Sequence, residues 1–234
     1  MTNYDVLVFG AHPDDSEMAM GGTLIKLVKA GFSVMNISLT QGEMSTHGTV
    51  ESRKLEFANA AKVMGCSSLM LDLPDSALEN DRASRLKATE LIREYKPKLV
   101  FAPYHTNNLA EPRGVANVDH YVAGSIVRDA VKYARLKKIL PDSEPHSVKK
   151  MFFYMVPRNI TPSLIVDVTD VEAELRAAIR AYESQMSISF KGKAVDDFLM
   201  KMRSATGINI GVEFAEAFVT DQFLEFEPKH FFEL

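Results

Sequence analysis

Two short segments of the chain gather side chains that could bind a metal and move protons. The first is Gly10-Ala11-His12-Pro13-Asp14-Asp15, with three ionisable groups in four positions. His12 and Asp15 suit a divalent ion such as zinc, which takes imidazole nitrogen and carboxylate oxygen. Asp14, between them, would point elsewhere, and a carboxylate beside the ion's open corner is a natural general base. The second segment is Asn117-Val118-Asp119-His120. His120 would complete a His, Asp, His set with one vacant corner, the pattern of catalytic rather than four-ligand structural zinc. Iron(II) would fit the same facial set. Asp119 could orient a ring or bond a group behind the ligands. Both segments also have plainer readings. His, Pro and Asp are turn residues, and Asn117 or Asp119 could cap a helix with His120 packed behind it.

For the two segments to meet, the chain must carry both to one edge of the fold. Residues 6–9 are a short apolar run ended by Gly10. Residues 20–30 read as a helix with Leu24, Leu27 and Val28 on one face and Gly31 as its end. Residues 33–39, 69–73 and 99–102 read as further strands. Residues 51–64 and 81–94 read as helices, the former with Leu55, Ala58 and Val63 inward, the latter with Leu86, Leu91 and Ile92 apolar. Apolar strands that alternate with helices imply parallel β-α units with right-handed crossovers. The expected fold is one Rossmann-like, three-layer α/β/α domain over 1–234 with a mostly parallel sheet. Its active site would lie at the C-terminal strand edge. The His12 segment follows the first strand and the His120 segment follows the fourth, so both reach that edge.

The second half is less regular. Residues 118–140 contain a helix, 194–204 form another, and 151–156, 164–168 and 213–219 read as strands. Thr169 with Glu172 fits a capping box, opening a helix with Val171, Leu175, Ile179, Tyr182 and Met186 on one face. The polar loop 104–117 is long enough to be functional.

Composition excludes some classes. Hydrophobic residues make up 46% and charged residues 25% of 234, ordinary for a globular protein. A net charge of -4 argues against a nucleic-acid partner. Cys66 is the one cysteine, so a reducing compartment and a buried thiol are expected. No run approaches a membrane span or a secretory signal, so the expected location is the cytoplasm. The G-x-G-x-x-G fingerprint of a dinucleotide-binding module is absent, and Asp14 with Asp15 would repel a pyrophosphate. A two-metal phosphoesterase would need a second ligand set. His47, His146 and His230 fall in no ligand pattern. Phe231 and Phe232 near the C-terminal end point to contact with a neighbouring subunit.

The Ala11–Asp15 segment after the first strand, followed later by the Asn117–His120 segment, resembles the PIG-L / LmbE-like deacetylase family. That family includes N-acetylglucosaminyl-phosphatidylinositol de-N-acetylase. Residues 39–43, Gly48-Thr49, Arg53, Glu56, Leu73-Pro74-Asp75 and Leu78 resemble further family segments. Residues 181–185 and 215–218 resemble the branch of bacillithiol biosynthesis that removes acetate from N-acetylglucosaminyl malate. The resemblance implies a zinc-dependent N-deacetylase of an amino-sugar conjugate, often a trimer or hexamer. It implies zinc on His12, Asp15 and His120, Asp14 as general base, and Arg53 at the sugar hydroxyls. The plainer reading of Arg53 is a surface arginine paired with Glu51 or Glu56. Glu43 and Asp75, at strand ends, are expected to shape the sugar pocket. One departure stands out: the family usually has histidine where Asn117 stands. Asparagine can donate to an oxyanion but cannot carry a proton at neutral pH. Asp14, or an imidazole such as His105, would then protonate the leaving amine. The alternatives are a same-family amidase acting on a thiol conjugate or another amino sugar, and a non-catalytic ligand-binding module.

Overall fold

Every residue of the first two strands is buried, which requires a sheet covered on both faces. The structure is a computed structural model, described over residues 3–107, 117–190 and 192–225. Its central sheet contains β1 (Val6–Gly10), β2 (Val34–Thr40), β3 (Ser67–Leu73), β4 (Leu99–Pro103) and β5 (Lys150–Tyr154). The order is β3-β2-β1-β4-β5 and all pairings are parallel. Helices α1 (Asp15–Lys29), α2 (Val50–Met64), α3 (Arg82–Tyr95) and α4 (Val118–Ala134) link these strands. Side chains alternate across the sheet as the strand period demands. Leu7 and Phe9 join Ile92 of α3 and Ile126 of α4 in one core, while Val6 and Val8 join Leu24 of α1 in the other.

The second half closes over that other face. Strand β6 (Leu164–Asp167) leads into helices α5 (Glu172–Arg180) and α6 (Glu183–Met186). A short hairpin of β7 (Ser189–Phe190) and β8 (Lys193–Ala194) precedes α7 (Val195–Gly207) and β9 (Ala215–Phe218). Strand β9 pairs antiparallel with β6, and a bridge from Phe153 to Val219 ties the chain beyond β9 to the edge strand β5. Among the described residues no helix is long and apolar enough to cross a membrane.

Several local expectations are corrected. Helix α1 begins at Asp15 rather than residue 20 and is kinked at Met20 (φ -143°, ψ 19°). Helix α2 turns Leu55, Ala58 and Val63 outward. Its buried stripe is Arg53, Glu56, Phe57, Ala60, Ala61 and Met64. A polar pair needed at the strand edge occupies the inward face, so hydrophobic spacing pointed to the wrong side. The Thr169–Glu172 capping box does not form. The Thr169 hydroxyl instead accepts from the Phe214 backbone N–H (3.1 Å), and a 3-10 turn precedes α5. Helix α5 ends at Arg180, so Tyr182 caps the separate helix α6 that carries Met186. The terminal phenylalanines, His230 and loop residues 108–116 lie outside the described residues.

One glycine fixes where the His120 segment sits. A Cβ at Gly124 would lie 2.2 Å from the Pro103 carbonyl oxygen, so only glycine lets α4 press against the end of β4. His120 is one turn earlier on that helix.

Candidate active site

The chain leaves β1 at Gly10 and turns sharply before α1. Asp14 takes φ 120°, a conformation few non-glycine residues adopt. Asp15 fixes this turn from within: its Oδ2 accepts from the backbone N–H groups of Ala11 (2.8 Å) and His12 (3.0 Å). Its Oδ1 lies 3.1 Å from His120 Nε2, and its Oδ2 lies 3.7 Å from His12 Nδ1. The two imidazole rings stand 5.3 Å apart between centroids. Ligand atoms of His12, Asp15 and His120 all lie within 4.8 Å of one another. The expected triad therefore meets, from the turn after β1 and the first turns of α1 and α4.

The donor set fits a divalent metal ion. Asp15 is 4% exposed, and a buried carboxylate between two imidazoles calls for positive charge among them. Burial alone would raise the Asp15 carboxyl, but His120 and His12 hold it well below the usual range. Burial alone would lower the His12 imidazole. The hydrogen bond and charge of Asp15, with Asp75 and Asp14, outweigh that and bring it up to about 9. His120 is raised in the same way by Asp15, against its burial. One divalent ion in this gap would take the place of two ring protons.

Asp14 faces a different partner. Its Oδ2 accepts from Arg53 Nη2 at 2.9 Å, and the same nitrogen donates to the Pro13 carbonyl. Burial pushes the Asp14 carboxyl up to about 6, against the opposing pull of Arg53. Arg53 is no surface arginine, being 2% exposed. Its guanidinium lies 5.3 Å from the centre of the Tyr182 ring and its Nη1 lies 3.8 Å from Glu56 Oε2. Two of its nitrogens, Nε and Nη1, are buried without a hydrogen-bond partner among the described residues. Glu56 in turn accepts from the Ser184 N–H (2.7 Å) and hydroxyl (2.8 Å), docking α6 against α2.

Another buried carboxylate, Glu17, was not singled out from the sequence. It is fully buried and accepts from the Tyr182 hydroxyl (2.7 Å), the Ser16 hydroxyl (2.8 Å) and the Asn36 amide (3.0 Å). Burial pushes it up to about 7. The available signal was an acidic residue in the first turn of a helix that otherwise runs into small and apolar residues.

The remaining expected site residues divide. Asp75 and Asp119 reach the cluster: His12 Nε2 is 3.1 Å from Asp75 Oδ1 and 3.5 Å from Asp119 Oδ2. Glu43 is exposed and braces its loop, accepting from the backbone N–H groups of Asp75 (2.8 Å) and Gln41 (3.3 Å). Asn117 is the N-cap of α4, its Oδ1 accepting from the Asp119 N–H at 2.9 Å. His105 is drawn elsewhere. Among the described residues its side-chain polar partners are Thr106, Arg128 and Asp221, none of them in the His12 cluster. Burial lowers its pKa.

Residues 7–131 match the family model described as PIG-L: GlcNAc-PI de-N-acetylase. The chain is 32% identical to the diacetylchitobiose deacetylase of Thermococcus kodakarensis, over 77% of this chain and 69% of that one. It is 27% identical to a probable N-acetyl-alpha-D-glucosaminyl L-malate deacetylase 2 of Bacillus anthracis, over 54% of this chain and 58% of that one. Among solved structures, a conserved protein from Thermus thermophilus superposes with a TM-score of 0.85 at 33% identity. The match covers 96% of this chain and 98% of that one.

Proposed function

Because the chain belongs to the PIG-L GlcNAc-PI de-N-acetylase family, we propose that it is a zinc-dependent hydrolase that removes the N-acetyl group from an amino-sugar conjugate. The observation that carries this reading is the convergence of His12, Asp15 and His120, with Asp14 buried beside them on Arg53. One relative is a diacetylchitobiose deacetylase and the other a probable N-acetyl-alpha-D-glucosaminyl L-malate deacetylase, which supports the substrate class. N-acetylglucosaminyl malate and N,N'-diacetylchitobiose are the specific candidates.

His12, Asp15 and His120 would hold the ion, zinc or iron(II). Bound there, it would supply a Lewis acid for the acyl oxygen and lower the pKa of a water toward about 7. Asp14 takes the proton of the attacking water and returns it to the departing amine as the C–N bond breaks. Arg53 keeps that carboxylate aimed by holding both Asp14 and the Pro13 carbonyl. Asn117 has its Oδ1 engaged at the helix N-terminus, so its Nδ2 is the end that can donate to the developing oxyanion. A homo-oligomer, trimer or hexamer, is the assembly that the family resemblance implies. A single cysteine supports a cytoplasmic setting.

The deciding experiment is metal analysis of anaerobically purified protein, then amine release from a panel of N-acetylglucosamine conjugates. His12→Ala and His120→Ala should each lose the metal. Asp14→Asn should keep it and lose turnover. Full activity in Asp14→Asn, or no amine released from any conjugate, would refute the reading.

A further inference from the structure

We propose that Asp75 and Asp119 are positioning residues for His12: they hold its Nε2–H so that Nδ1 alone faces the metal. This rests on the metal-site reading above and moves Asp75 from the expected sugar pocket to the back of a ligand. The two nitrogens of His12 face opposite ways. Nδ1 looks toward Asp15 (3.7 Å) and the gap shared with His120, while Nε2 looks toward Asp75 (3.1 Å) and Asp119 (3.5 Å). Ionised carboxylates only accept, so the nitrogen they face must carry a proton. A neutral imidazole has one N–H, which leaves the Nδ1 lone pair for the ion. Carboxylates behind a metal-bound histidine set its tautomer and ring orientation in this way.

Both carboxylates are themselves fixed. Asp75 Oδ2 accepts from the Met44 N–H (2.9 Å), and Asp119 Oδ2 accepts from the Ser76 N–H (2.6 Å). Ser76 takes φ 63°, a left-handed conformation unusual for serine, and its N–H meets Asp119 there. The side chains of Asp75 and Asp119 are only 6% and 2% exposed. Asp119 Oδ1 is buried without a hydrogen-bond partner among the described residues. Ligand atoms of His12, Asp75 and Asp119 also lie within 4.8 Å of one another, so the competing reading is a second cation there, with His12 bridging two ions. The hydrogen bonds already made by Asp75 Oδ2 and Asp119 Oδ2 favour the positioning role.

The test is zinc binding by titration calorimetry together with nitrogen NMR of the zinc-loaded protein. Wild type should bind one ion per chain, with His12 coordinated through Nδ1 and protonated at Nε2. Asp75→Asn offers one acceptor oxygen to two donors, so its amide must face either His12 or Met44. Zinc affinity should fall by about 10- to 100-fold, the usual cost of removing such a partner. Asp72→Ala, which removes an exposed carboxylate of β3 paired with Lys87 (2.6 Å), should leave zinc affinity unchanged. Coordination through His12 Nε2, two ions per chain, or wild-type affinity in Asp75→Asn would each overturn the inference while leaving the deacetylase reading intact. A wild-type protein that binds no divalent ion would sink both.

Discussion

The Asp14 carboxylate and the Arg53 guanidinium meet at 2.9 Å with side chains only 14% and 3% exposed. Paired charges this deep are costly to separate. Removing one partner of a buried ion pair typically destabilises by about 3–5 kcal/mol, or the survivor neutralises itself by gaining or losing a proton. For Asp14 neutralisation means a carboxylic acid, which is no base. Arg53→Met should therefore cut kcat by roughly 10²–10⁴, the span attributed to a general base, with metal content retained. Steady-state kinetics also separate this role from the family-implied one. An arginine that only gripped sugar hydroxyls would raise KM and spare kcat. Arg53→Lys should not rescue turnover, because a single ammonium lacks the planar fork that spans Asp14 and Pro13.

Asn117 serves α4 and, in the proposed mechanism, the oxyanion, and the two roles can be pulled apart. Its Oδ1 caps the helix at the Asp119 N–H. Aspartate caps a helix equally well but cannot donate. Asn117→Asp should keep the melting temperature and lower kcat by about 10²–10³, the usual loss for one oxyanion donor. Asn117→His should do the reverse, losing about 1 kcal/mol with the cap while keeping turnover. Thermal melts beside initial rates give both readouts. Full turnover in Asn117→Asp would remove asparagine from the chemistry.

The sequence disclosed the β-α alternation and the His12, Asp15, His120 set because each rests on local signals: apolar runs, helix periodicity and rare ligand types close together. What it hid depends on tertiary partners. Leu55 and Val63 have the spacing of a core stripe, yet Arg53 and Glu56 take the inward side because Asp14 and Ser184 lie there. Thr169 and Glu172 have capping-box spacing, but Phe214, distant in sequence and just ahead of β9, claims the hydroxyl. Asp75 stands at a strand end as a pocket residue would, and only the fold brings it behind His12. His105 also lies just past a strand, but Arg128 and Asp221 draw it off.

Glu216 and the kink in α1 depend on each other. The non-helical backbone at Met20 interrupts the helix ladder, and Glu216 accepts the N–H groups of Gly22 (3.1 Å) and Thr23 (2.7 Å) just beyond it. Arg203 balances the charge, with Nη2 2.7 Å from Glu216 Oε1. Glu216→Gln leaves a buried guanidinium unpaired and should destabilise by about 3–5 kcal/mol. The double variant Glu216→Gln with Arg203→Met should recover part of that loss, since removing both charges ends the imbalance. Urea melts of the single and double variants check this, and additive losses would count against a coupled pair.

Cys66 gives a pH test remote from the proposed metal ligands. Burial pushes its thiol up to about 12, and the nearby charge of Glu17 adds to this. A thiol of ordinary pKa, about 8.5, is roughly a quarter thiolate at pH 8, whereas one near 12 is about one part in 10⁴. Only the thiolate attacks. Iodoacetamide at pH 8 should therefore modify native protein about 10³-fold more slowly than protein unfolded in urea. The sign of the stability effect follows. The folded pKa exceeds the unfolded one, so the contribution of the neutral thiol is complete below about 8.5 and disappears as pH climbs toward 12. Wild type should lose stability across that window, and Cys66→Ala should lose less. Rapid alkylation of the native protein at pH 8, or identical alkaline losses in the two proteins, would show that the thiol is not held neutral by its surroundings.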